Sequence, residues 1–225
     1  MTQNKLSPTL VIFCKRPLIG QGKQRLAATL GKPIAFELAK RMLDCAIEDA
    51  NHWQGDVVLA VSSEADSDWA DSLMQRDYKV IPQPKGNLGQ RINQLDTTLR
   101  TLGHHSLVFI GTDAPILNDD DYQTIIQHLS QNDCAFSPAT DGGVTIMANK
   151  KPWPNLTHLS WSTSTLGHEL SDLCKQHSWS QGLIRETYDI DIEEDLLKLK
   201  SALENDTRPA RKKLLNVITS NTPAT

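Results

Sequence analysis

The chain has 225 residues, 39% hydrophobic and 22% charged, and its 12 glycines and 11 prolines are too few for a collagen-like or low-complexity protein. Wholesale disorder is excluded, and the chain is long enough to bury one sizeable core. A net charge of -4 argues against a general nucleic-acid binder, so no nucleic-acid partner is expected.

Residues Thr9–Cys14 (TLVIFC) are a short apolar run, as in a buried parallel strand. After a loop, residues 33–50 have helical spacing. Leu38, Met42, Cys45 and Asp49 mark one edge, Phe36, Ala39, Leu43 and Ala46 a neighbouring one, and Pro33 suits the first turn. Residues 56–62 read as a strand, 67–75 as a helix and 78–81 as a short strand before Pro82 and Pro84. Leu88, Ile92, Leu95, Leu99 and Leu102 place a helix over 88–102. A buried strand at 106–110 precedes a helix at 119–130 whose first turn is acidic. Strands at 133–137 and 144–148 flank Asp141-Gly142-Gly143. A helix at 163–177, a strand at 183–190 and an amphipathic helix at Glu193–Leu203 follow. This alternation predicts an α/β domain over 1–205 with a mostly parallel sheet. Residues 206–225 are expected to add a basic helix with a solvated face, over 208–215, and a frayed tail from 216.

No apolar run approaches the roughly 18 residues of a membrane span. The first residues lack the long apolar stretch of a signal peptide, so a cytoplasmic protein without a membrane span is expected. Cys14, Cys45, Cys134 and Cys174 lie far apart with no C-x-x-C pair, the pattern of buried thiols rather than structural zinc.

In open α/β sheets ligands bind beyond the carboxyl ends of the strands. The segment after the first strand holds Lys15, Arg16, Lys23 and Arg25 with Gly20 and Gly22. Glycines allow close backbone approach, and the cations suit phosphate oxygens. It is neither a P-loop nor a dinucleotide fingerprint, because Pro17, Gln24 and Arg25 stand at required positions. The plainer alternative is a solvated basic loop. After the strand at 106–110 comes Gly111-Thr112-Asp113, where an acid can hold a divalent metal beside substrate phosphates. It can equally cap the next turn. Asp189 and Asp191 lie two apart, so on an extended strand end their carboxylates share one side and repel unless a cation sits between them. Asp191 is also a candidate N-cap, with Glu193, Glu194 and Asp195 as first-turn acids. Asp141-Gly142-Gly143 fits close approach to a ligand or an ordinary hairpin turn.

Taken in order, these motifs resemble a bacterial family of formerly unknown function in the GT-A, nucleotide-diphospho-sugar transferase superfamily, often labelled glycosyltransferases. The matching residues are Lys15-Arg16-Pro17 with Gly20 and Lys23-Gln24-Arg25-Leu26, then Gly86-Asn87-Leu88-Gly89-Gln90-Arg91. Gly111 to Pro115, Pro138 to Gly143, Trp161-Ser162-Thr163 and Asp189 to Leu196 complete the set, which spans about residues 9–200. The resemblance implies a GT-A-like, Rossmann-like three-layer fold with a mixed, mostly parallel sheet. It implies a nucleotide-activated donor and Mg²⁺ or Mn²⁺, with Asp113, Asp189 and Asp191 as metal ligands. Lys15, Lys23 and Arg25, with Gly20 and Gly22, would hold phosphates. Gly86, Gly89 and Arg91 would be further nucleotide contacts, and Lys23 and Arg25 would also serve catalysis. Asp141 would be a general base, with Gly142, Gly143 and Trp161 on the acceptor side. Departures cluster on that side: Ile116, Val144, Ile192 and Lys150-Lys151-Pro152 replace the family's usual residues, as Gln24 replaces a threonine in the basic loop.

The expected function is therefore metal-dependent transfer from a nucleotide-activated donor to a small molecule, with glycosyl transfer from a nucleotide sugar leading. Nucleotidyl transfer from an NTP with release of pyrophosphate is the alternative. It is motivated by four cations near the first strand and by Asp113 having no acid two residues on. A non-catalytic nucleotide-binding protein on a degenerate scaffold is the third reading.

Overall fold

A computed structural model describes residues 7–222. The elements are β1 (Thr9–Cys14), α1 (Gln24–Leu30), α2 (Lys32–His52), β2 (Val57–Val61), a 3-10 turn (Glu64–Asp66) leading into α3 (Ser67–Ala70), and β3 (Lys79–Pro82). Then follow α4 (Leu88–Thr101), β4 (Leu107–Ile110), α5 (Asp119–Gln131), β5 (Cys134–Pro138) and β6 (Val144–Asn149). The chain continues through α6 (Leu166–Gln176), β7 (Gln181–Leu183), α7 (Glu193–Leu203) and α8 (Pro209–Asn221).

The apolar runs become the centre of a seven-stranded sheet of order β3-β2-β1-β4-β6-β5-β7. β1 pairs parallel with β2 and β4, while β6 runs antiparallel to both β4 and β5. The expected α/β class with a mixed, mostly parallel sheet is the one observed. Alternate residues of a strand face opposite sides. Leu10, Ile12, Leu59 and Val108 therefore pack under α2 and α5, while Val11, Val58, Phe109 and Phe136 pack under α4 and α6. A third cluster lies outside the sheet, where Leu26 of α1, Leu38 and Met42 of α2, Leu196 and Leu199 of α7, and Leu214 and Ile218 of α8 meet. All four cysteines are buried free thiols. Among the described residues no helix is long and apolar enough to cross a membrane.

Several expectations are corrected. Residues 24–30 form a helix rather than loop; only Leu26 of it is buried, so it carries no apolar stripe to read. The helix expected over 67–75 stops at Ala70, whose carbonyl accepts from the Tyr78 hydroxyl at 2.7 Å while that hydroxyl accepts from the Leu73 amide at 3.2 Å. The strand expected over 183–190 pairs only as Gln181–Leu183. Beyond it the chain is tied to β5 and β6 through a buried hydroxyl cluster of Ser137, Thr145 and Thr187. Asp189 and Asp191 thus lie on a loop, not on a strand end. Asp191 is not the N-cap of α7; Ile192 is, and the Asp195 carboxylate accepts from the amides of both Asp191 and Ile192. Residues 216–221, expected to fray, are helical, and residues 223–225 of that tail lie outside the described residues.

The basic run at 208–213 is a solvated face only in part: Lys212 and Lys213 are exposed, Arg208 is half-buried and Arg211 is buried. Arg211 is 1% exposed, among the largest fully buried side chains of the described residues. Its guanidinium donates to Asp49 at 2.6 Å and to Glu48 at 3.2 Å, both on α2. Burial opposes its charge, and the Asp49 carboxylate with its hydrogen bond and other neighbouring groups together outweigh that, so Arg211 stays cationic inside the protein. A helix can look basic in sequence and still be docked by its cations.

Gly89 shows how close the layers lie. A Cβ added there would sit 2.1 Å from the Leu156 carbonyl oxygen and 2.5 Å from the Trp161 indole nitrogen, with backbone on one side. Gly89→Ala is expected to destabilise the protein by about 1–3 kcal/mol through overpacking, read as a lowered urea midpoint with an unchanged slope.

Candidate active site

The loops leaving β1 and β4 start side by side because the two strands pair in parallel, with Ile12 opposite Ile110. Lys23 takes a left-handed backbone conformation (φ 46°) as N-cap of α1, uncommon for a residue with a side chain. Its ammonium lies 3.0 Å from Asp113 Oδ1 and donates to the Ile190 carbonyl at 2.5 Å. The Ile190 amide donates back to the Asp113 carbonyl at 2.8 Å. Three loops, after β1, β4 and β7, are joined at this point. The Lys23 side chain is 10% exposed and Asp113 51%, so a mostly buried cation meets an acid open to solvent. Arg25 pairs with Asp191 through Nη1 and Oδ2, with both side chains well exposed.

Asp189 lies among these groups. Burial, then the nearby Asp113 charge, with Asp141 and Asp191 adding to it, pushes its carboxyl up to about 7 against the opposing pull of Lys23. Three further carboxylates (Asp113, Asp141 and Asp191) thus act on Asp189, as does the mostly buried Lys23. Asp141 is exposed in the turn between β5 and β6, and its Oδ1 accepts from the Gly143 amide at 2.9 Å. Gly142 is in the left-handed region, and a Cβ there would sit 2.0 Å from the Ser164 carbonyl oxygen. That turn is thereby pressed against the segment before α6. The Thr140 amide donates to the Thr187 carbonyl, and the Thr187 amide to the Pro138 carbonyl, each at 2.9 Å. Those bonds tie the Asp189 loop to the Asp141 turn.

Other expected positions lie in this fold as follows. Lys15, Gly20 and Gly22 are exposed on the loop between β1 and α1. Arg91 braces the loop before α4, donating to the Gly86 carbonyl at 2.7 Å and to Gln83 Oε1 at 3.4 Å. Gly89 is buried against Leu156, so packing accounts for its glycine. The Trp161 indole donates to the Leu156 carbonyl at 2.9 Å and joins the core beneath α4, a packing role. A cavity of about 410 Å³ between the end of α2 and α5 is lined by Trp53, Tyr122 and Asp49, and does not include the carboxylate cluster.

The carboxylates have the hard oxygen donors that suit Mg²⁺ or Mn²⁺. Among the described residues no three acidic, histidine or cysteine side chains stand ready as a ligand cage. Such a cage is not required, since Mg²⁺ beside a nucleotide takes one or two carboxylates with phosphate oxygens and waters. Motif reading did not anticipate the Ile190 backbone, which Lys23 and Asp113 both use. A backbone group leaves no mark in composition.

A family model described as "Uncharacterized protein conserved in bacteria (DUF2064)" matches residues 46–163, just over half of the chain. No curated protein sequence matches. The structure of a Desulfovibrio desulfuricans G20 protein, described as a "putative nucleotide-diphospho-sugar transferase", superposes with a TM-score of 0.85 at 19% identity, covering 97% of this chain and 99% of that one. CMP:2-keto-3-deoxy-manno-octonic acid synthetase complexed with CTP superposes at 0.55 and 13% identity, covering 87% and 98% of the two chains. A cytidylyltransferase from Leptospira borgpetersenii serovar Hardjo-bovis (strain JB197) superposes at 0.51 and 14%, covering 96% and 95%. At these identities the likeness establishes the fold.

The raised Asp189 carboxyl has a consequence for stability. The folded state holds this proton more tightly than the unfolded chain, whose Asp titrates near 3.9. Its contribution is full below that value and is lost as pH rises through about 7. In metal-free buffer, Asp189→Asn is expected to gain on wild type between pH 4 and 8 and to melt higher at pH 8. Each kcal/mol relieved is worth about 2–4 °C for a protein of this size. A melting difference that stays constant with pH would refute the assignment.

Proposed function

We propose that this chain, which belongs to the DUF2064 family, is a transferase acting on a nucleotide-activated donor, and that its reaction is glycosyl transfer from a nucleotide sugar to a small-molecule hydroxyl. The observation that carries the reading is the Lys23 ammonium, 3.0 Å from Asp113 and bonded to the Ile190 carbonyl. It joins a basic loop suited to phosphate to a carboxylate cluster suited to a divalent cation.

Without ligand, Lys23 and Arg25 neutralise Asp113 and Asp191. On binding of a nucleoside diphosphate with Mg²⁺ or Mn²⁺, Lys23 and Arg25 would turn to phosphate oxygens, releasing Asp113 and Asp191. These two, with Asp189, would hold the metal, whereas either ligand alone would leave one set of partners without its counter-charge. Nucleotide and metal should therefore promote one another's binding by the same factor. When bound, the metal would neutralise charge on the diphosphate leaving group. Lys23 and Arg25 add fixed positive charge at the same place. Asp141 accepts the proton of the acceptor hydroxyl as its oxygen bonds to the anomeric carbon. The bond from that carbon to the diphosphate breaks, and the electron pair leaves with the nucleoside diphosphate.

Nucleotidyl transfer is the second reading, favoured by one observation. Asp113 has Ala114 and Pro115 after it and no acid two residues on, while Lys15, Arg16, Lys23 and Arg25 crowd the loop after β1. In that case the acceptor oxygen attacks the α-phosphorus and pyrophosphate leaves.

A thermal-shift series with NTPs and nucleotide sugars, each with and without Mg²⁺ or Mn²⁺, tests the proposal. A ligand at 100 times its Kd stabilises the folded state by about 2.7 kcal/mol. The expected shift needs nucleotide sugar and metal together and disappears in Asp113→Ala. Lys23→Ala and Arg25→Ala are each expected to cost about 1.5–3 kcal/mol of nucleotide binding. A shift with one NTP alone, followed by pyrophosphate release, transfers the assignment to nucleotidyl transfer. Binding without turnover across many acceptors favours a degenerate scaffold, and no shift with any ligand defeats the proposal.

A further inference from the structure

We propose that Arg211 of α8 is a positioning residue for the Asp113 carboxylate, acting through the backbone of residues 113–117. The role rests on the reading of Asp113 as a ligand-binding acid. Every carbonyl of this loop has a donor. The Asp113 carbonyl accepts from the Ile190 amide at 2.8 Å and that of Ala114 from the Leu117 amide at 3.1 Å. The Pro115 carbonyl accepts from Arg211 Nε at 3.3 Å. The Ile116 carbonyl accepts from Arg185 Nη2 at 3.3 Å. The Leu117 carbonyl accepts from Arg211 Nη2 at 3.2 Å and Arg208 Nη1 at 3.0 Å. Three arginines from two distant segments thus hold the stretch directly after Asp113.

Arg211 is the centre of this arrangement. Its three nitrogens serve five acceptors, because Nη1 also donates to the Cys45 carbonyl at 2.6 Å and to Glu48, and Nη2 to Asp49. A planar guanidinium fixes those directions relative to one another, and an ammonium cannot. α2 supplies the counter-charge, and the 113–117 loop supplies neutral carbonyls. The loop is consequently indexed to the buried face of α2 and not left to find its own position. An acid that must meet both Lys23 and an incoming ligand benefits from that, since small misplacement is costly at a reacting centre.

Amide exchange reads the loop without any ligand. In Arg211→Lys, which keeps the charge and loses the fork, the Leu117 and Ile190 amides are expected to exchange at least 10-fold faster relative to Val108 in β4. The affinity for nucleotide sugar with Mg²⁺ is expected to fall about 10-fold or more in calorimetry. Arg76→Lys is the control: Arg76 donates to the carbonyls of Ala50, Trp53 and Gly55, away from the loop, so its loss is comparable but elsewhere. It should leave both readouts unchanged. Arg208→Lys, at the half-buried second donor to Leu117, should shift both readouts in the same direction by less, and it decides the matter if Arg211→Lys does not fold. Wild-type exchange at Leu117 and Ile190 in the variants, or equal acceleration in Arg76→Lys, overturns the proposal. Failure of wild type to bind any nucleotide with metal overturns the proposed function instead, and the exchange result then still decides whether Arg211 holds the loop.

Discussion

The chemistry of this molecule depends on the parallel pairing of β1 with β4. Two parallel neighbours release their chains at the same edge of the sheet, so the loop after Cys14 and the loop after Ile110 begin next to each other. β5, antiparallel to β6 as β4 is, runs parallel to β4 and delivers the Asp141 turn to that same edge. The 184–190 segment then follows the end of β5 through the Thr187 bonds and brings Asp189 among the others. Opposite charges meet there as a consequence of topology, without being near in sequence.

Placing four carboxylates together is costly, and the fold shows the cost at Asp189. Lys23 offsets part of it from an uncommon backbone conformation. Such local strain persists where surroundings over-determine it and concentrates at functional sites. Here the surroundings include the Asp113 carboxylate and the Ile190 carbonyl, both of which the lysine side chain contacts. On the proposed function, these internal pairs would exchange partners when a metal–nucleotide complex binds.

The C-terminal helix has a larger share in this than its exposed-looking sequence implies. Arg211 is consumed by Asp49, Glu48 and backbone carbonyls, and Arg208 by Asp206, Asp49 and the Leu117 carbonyl, so removing Arg211 would leave buried partners unmatched. Breaking a buried ion pair by deleting one member is strongly destabilising. The helix thus serves as a brace between α2 and the loop after β4. It lies outside the stretch matched by the family model.

The sequence by itself determined six of the seven strands and most helices, because an apolar run or a 3.6-residue stripe is a local property that burial reads directly. β1 and α7 fall where the pattern puts them, and α4 differs by one residue at its end. Ordered motifs also marked Lys23, Asp113, Asp141 and Asp189 as one set. The tertiary structure alone decided what those residues touch. Lys23 on Asp113, Arg25 on Asp191 and the shared use of Ile190 join residues more than 75 positions apart. It alone reduced the contact of residues 184–190 with the end of β5 to a few backbone bonds, an isolated bridge between Thr187 and Ala139, and a buried hydroxyl cluster. It also turned Arg211 inward, since a cation's burial depends on whether a carboxylate from another helix lies opposite it. Local patterning records which residues leave water; only the packed chain decides which partners they find.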